Sequence, residues 1–95
     1  MRTIHKHQLP LEHGNHWIRV RGRARALSVG VQHGLPMLWV SVDDADPVAD
    51  MEIFVAYTGG VLPCFPDECF VGTVILEREG LVLHVFDARP ARERP

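Results

Sequence analysis

Residues 26–43, Ala-Leu-Ser-Val-Gly-Val-Gln-His-Gly-Leu-Pro-Met-Leu-Trp-Val-Ser-Val-Asp, constrain the fold more than any other stretch of this chain. Leu27, Val29 and Val31 alternate with Ser28, Gly30 and Gln32. A period of two sends successive side chains to opposite faces, which is strand geometry and not helix geometry. His33-Gly34 is a polar residue before glycine, suited to the positive φ angles of a tight hairpin turn. Residues 25–32 and 37–42 are therefore expected to pair as a hairpin. Pro36 cannot donate a ladder hydrogen bond, so it belongs at a strand start.

The rest of the chain follows the same rhythm. Residues 3–9, 16–20, 52–57, 69–76 and 81–86 read as further short strands, separated by Gly14, Gly22, Gly59-Gly60 and Gly80. Asp46 before Pro47 has the form of a helix N-cap and first helical residue, which predicts a helical turn near 46–50. About seven short antiparallel strands with almost no helix predict an all-β domain, a sandwich or small barrel, over residues 1–88. The Arg/Pro-rich residues 89–95 read as a flexible tail. Strands 37–42 and 70–76 are apolar on both faces. A monomeric sandwich wets one face of each sheet, so these strands predict a homo-oligomer, a dimer or higher.

Bulk composition narrows the function. Ninety-five residues make one domain with a small core. A formal net charge of −2 argues against a dedicated nucleic-acid-binding module. No apolar run approaches the roughly 20 residues that span a bilayer. The N-terminus lacks the apolar core of a signal peptide, so no membrane association and a cytoplasmic location are expected. Cys64 and Cys69 do not make a disulfide scaffold.

Five groups of residues could carry function. Arg19, Arg21, Arg23 and Arg25 recur at every second position. On one extended strand they would point the same way along roughly 20 Å, a row able to grip phosphate or carboxylate. The plain alternative is an edge strand guarded by charge, and Gly22 interrupts it. Phe65, in the irregular loop 61–68, could anchor an interface or pin the loop to the core. Asp43, Asp44, Asp46, Asp50 and Glu52 form an acidic loop without EF-hand spacing, readable as a solvated turn. His5 and His7 share a strand face and could form half of a metal site, with His16 or His84 joining in space. The Cys-x4-Cys of Cys64 and Cys69 is longer than a zinc knuckle, which leaves separate thiols as the simpler reading. His84, between Leu83 and Val85, reads as a hydrogen-bonded interior or interface histidine. Neither Ser28 nor Ser41 lies in a nucleophile elbow, and no phosphate-binding loop occurs. No catalytic residue and no cofactor is expected.

Three stretches carry a family resemblance. Residues 4–9 (Ile-His-Lys-His-Gln-Leu), 26–46 and 70–86 (Phe-Val-Gly-Thr-Val through Leu-His-Val-Phe) resemble, in the same order, a family of small bacteriophage- and prophage-encoded proteins of unknown function. His7 replaces the aromatic residue usual in that family, and residues 59–69 depart from its pattern. The resemblance implies a context and not a chemistry. It suggests a non-enzymatic accessory binding protein that masks a host protein or sequesters a small anionic ligand, as a counter-defence inhibitor would. The alternative is a virion or assembly component acting through subunit contacts.

Overall fold

Seven strands form where the alternation places them. A computed structural model describes all residues, 1–95. The strands are β1 (Arg2–Gln8), β2 (Gly14–Arg21), β3 (Arg25–Gln32), β4 (Leu35–Asp43), β5 (Val48–Tyr57), β6 (Phe70–Leu76) and β7 (Leu81–Asp87). They build two antiparallel sheets, one ordered β1-β4-β3 and the other β2-β5-β7-β6. The all-β expectation holds, and the architecture is a sandwich of two sheets. In the β3–β4 hairpin His33 has φ 55° and Gly34 φ 75°. Two successive positive φ angles match the right-handed twist of the flanking strands. Pro36 lies in the first turn of ladder on β4, opposite Val31.

The inner faces meet in one core. β4 supplies Leu38, Val40 and Val42; β5 supplies Met51, Ile53 and Val55; β6 and β7 supply Val74, Leu76, Leu83 and Val85. Each such side chain contributes about 1.5–3 kcal/mol when fully buried. β1 is the exception. His5 lies opposite Val40 and His7 opposite Leu38, so its histidines face inward while Ile4 and Lys6 face out. The outer positions of β4 are partly sheltered by their own sheet: Met37 is buried, and Lys6 Nζ donates to Gln32 Oε1 across that face at 2.6 Å.

Two expectations need correction. No helical turn forms at 46–50; Val48 already opens β5. Asp43, not Asp46, organises that corner, its Oδ1 accepting from the Ala45 N–H at 3.1 Å. The Pro47 carbonyl accepts from the Gly22 N–H at 2.8 Å, which ties residues 46–47 to the neighbouring turn. The only helical pieces are single 3-10 turns at Asp67–Cys69 and Ala91–Glu93.

The tail is also seated rather than loose. Arg89 is 5% exposed and Asp87 6%. The guanidinium bonds both carboxylate oxygens, at 2.9 and 2.7 Å, and its Nη2 donates to the Ala24 carbonyl at 2.7 Å. Farther on, Arg23 donates to the carbonyls of Arg92 and Arg94, at 3.4 and 3.0 Å. No helix of the protein is long and apolar enough to cross a membrane.

Candidate functional site

The four arginines do not form one row. Arg19 and Arg21 share the outer face of β2, in the four-stranded sheet, and Arg25 opens β3 in the other sheet. Gly22, at φ 52°, turns the chain from one sheet to the other, so the two-residue period is reset there. Arg23 sits in that turn, committed to the tail carbonyls. Arg19 faces Asp50 across the ladder, Nε to Oδ1 3.8 Å, with both side chains mostly exposed. Such a pair is worth well under about 1 kcal/mol and leaves the guanidinium open to other partners.

Trp17 joins Arg19 and Arg21 on the same face. It is 63% exposed, lies opposite Glu52, and occupies the free edge of its sheet. The two edges on the far side of the sandwich are interrupted, β3 between Ala26 and Ser28 and β6 between Phe70 and Gly72. Bulges of this kind twist an edge away from further pairing. β1 and β2 pair without any such shift. Trp17 was not among the sequence candidates, although its parity with Arg19 and Arg21 was there to read.

Farther along the same sheet face, the loop after β5 covers what β2 leaves bare. Phe65 stacks on Phe86, ring centroids 5.3 Å apart and 18° between planes, and tilts against Phe54 at 5.7 Å. Phe54 and Phe86 are cross-strand neighbours, so their register builds the seat that Phe65 fills. Phe65 thus pins its own loop.

The family model described as a domain of unknown function, DUF7352, matches residues 1–95. The chain belongs to that family. No curated protein and no solved structure matches it.

The remaining candidates in this DUF7352 domain are dispersed. Cys64 is an exposed free thiol; Cys69 is a buried one that receives a hydrogen bond from Arg94 Nη1. His5 and His7 stand edge to face, 6.5 Å apart, on β1. No three His, Cys, Asp or Glu side chains come close enough together to hold a metal ion. Burial, and secondarily the His5 charge, hold His7 below its usual pKa. His7, His16 and Trp17 line the cleft between the free edges of β1 and β2. His16 is fixed there, its Nε2 donating to the Glu12 carbonyl at 2.7 Å.

Most of the acidic side chains have separate partners. Asp43 and Asp44 receive the Met1 ammonium at 3.0 and 3.3 Å. That contact, with the Ala45 N–H, lowers the Asp43 pKa, and the two carboxylates raise that of the amine. Glu52 accepts from Asn15 at 2.7 Å. His84 is hydrogen-bonded as read, through both ring nitrogens: Nε2 to Thr58 Oγ1 at 2.8 Å and Nδ1 to Thr73 Oγ1 at 3.0 Å.

Proposed function

We propose that this chain is a non-enzymatic accessory binding protein of phage type, and that it masks a partner protein with the outer face of β2. One observation carries this reading: Trp17 is left uncovered beside Arg19 and Arg21, whereas the central Phe54 and Phe86 of the same sheet are covered by Phe65. Tryptophan and arginine dominate binding hot spots: the indole presents a large flat contact area with few rotors to freeze, and the guanidinium a planar head with several donors. The two arginines select an acidic rim on the partner. Sequestration of a small anion is the less favoured form of this reading, since Arg23 and Arg25 do not converge with the other two.

The test is capture of the partner from host extract, followed by reconstitution with the purified partner. One-to-one binding that is lost in Trp17→Ala, and weakened in Arg19→Glu/Arg21→Glu, supports the proposal. Binding that survives both variants refutes it. An assembly component is the second reading, favoured by Ile4 and Ile75, which stand 61% and 60% exposed on different sheets and suit repeated subunit contacts. Native mass spectrometry of the intact protein separates the two, because an assembly component forms defined homo-oligomers without any partner.

A further inference from the structure

A second concave site lies on the same sheet as β2, beyond the Phe65 loop, and is independent of the masking surface. Ala56 and His84 form its floor, Phe70 and Phe86 one wall, and Thr58 and Leu62 the rim, around a cavity of about 330 Å³. That volume is at the lower end of small-molecule pockets. Phe70 is 48% exposed, so an aromatic wall is available without rearrangement.

The rim is held from behind by His13. The Tyr57 N–H donates to His13 Nδ1 at 3.0 Å. That nitrogen is therefore the acceptor, and Nε2 carries the proton it gives to the Val61 carbonyl at 3.0 Å. One imidazole thus clamps the chain on both sides of Gly59-Gly60. A preformed rim spares a ligand the entropy of ordering it.

The polar lining has a specific logic. His84 uses both nitrogens on threonine hydroxyls. If Thr73 donates to Nδ1, then Nε2–H donates to Thr58, and the Thr58 O–H is free to donate outward. In the other tautomer Thr58 donates to Nε2 and presents lone pairs instead. Thr58 can serve a ligand donor or a ligand acceptor by a tautomer change. No Asp, Glu, Lys or Arg lines the cavity.

We propose that this groove binds a small, planar, uncharged aromatic heterocycle, its ring against Phe70 and Phe86 and its polar edge on Thr58. The flat walls select the ring, the absence of charge selects neutrality, and the Thr58–His84–Thr73 chain selects a hydrogen-bonding edge.

The experiment uses the full chain at neutral pH, with benzimidazole as probe, indene as its apolar analogue and benzoate as the charged comparator. Binding is followed residue by residue with two-dimensional amide NMR. Expected are saturable shifts confined to residues 56–62, 70, 84 and 86, with benzimidazole preferred over both comparators. Phe70→Ala should weaken benzimidazole roughly tenfold, the value of an aromatic contact. Thr58→Val, which keeps the shape, should abolish the preference over indene while leaving indene binding in place. Shifts that scatter or never saturate overturn the proposal. So does equal binding of indene or benzoate by the unmodified protein, or a preference untouched by Thr58→Val.

Discussion

Replacing Arg89 with alanine tests how the end of the chain is fastened. In the native protein Arg89 makes two parallel bonds to Asp87 and one to the Ala24 carbonyl, all between groups 5–6% exposed or in the core. Arg89→Ala leaves the Asp87 carboxylate buried and stripped of its cation. Breaking a buried pair from one side costs about 3–5 kcal/mol, since the surviving charge has lost its solvent and its partner. A domain of this size has about 5–14 kcal/mol in total. With a urea m-value of about 1–3 kcal/mol/M, the unfolding midpoint should fall by about 2 M. The double variant Asp87→Leu/Arg89→Met removes both charges and keeps the volume. It should recover most of that loss, short of the roughly 1 kcal/mol that the orphaned Ala24 carbonyl costs. The assay is equilibrium urea unfolding followed by tryptophan fluorescence. A midpoint within about 0.3 M of wild type for Arg89→Ala, or a double variant no more stable than the single one, would refute the reasoning.

Three other outcomes follow from single residues. Gly22→Ala should cost at least about 1–2 kcal/mol in urea unfolding, because its φ of 52° is left-handed and a Cβ there also meets the Asp46 side chain; Asp46→Ala in the same background removes the carboxylate but keeps its Cβ, so it should recover only part of the contact and none of the backbone strain. His7 has its folded pKa lowered below 6.5, so the unfolded chain binds the proton first. Its neutral form is fully stabilising above that value, and the stability is lost as pH falls through it toward the folded pKa. His7→Phe should flatten that part of the pH–stability curve measured by chemical denaturation. Phe65→Ala should remove about 1–2 kcal/mol of aromatic contact and speed amide hydrogen exchange across residues 58–69, with the sheet amides little changed.

The strands were legible because their signals are local. Alternation and turn residues are written in neighbouring letters, and every expected strand formed, with β5 starting earlier at Val48. What depends on distant partners was not legible. Gly22 marks a break in the arginine row but not where the chain goes next; one left-handed residue there sends it to the other sheet. The alternation of β1 does not say which face points inward; pairing with β4 turns the histidines in, because its register aligns His5 with Val40. The tail looks disordered by composition, yet one side chain reaching Asp87 and Ala24 is enough to seat it. Phe65 stood out as a loop aromatic, but its role follows from the Phe54–Phe86 register.

Sheet cover explains why two separate surfaces of the four-stranded sheet remain as candidates. The three-stranded sheet shelters part of its outer face with its own side chains, through the Lys6–Gln32 bridge and the burial of Met37, while Ile4 stays exposed. The four-stranded sheet relies on a loop, and Phe65 reaches only the Phe54–Phe86 pair at its centre. Trp17 is left bare on one side of that contact and the Phe70–His84 groove on the other. No ring contact joins Trp17 to the aromatic cluster, and neither Trp17, Arg19 nor Arg21 lines the groove. A Trp17→Ala variant that loses partner capture should therefore bind benzimidazole with unchanged affinity, and Thr58→Val should leave capture intact. Coupled loss in either variant would mean that the sheet itself had been disturbed, and that neither surface had been tested by that substitution alone.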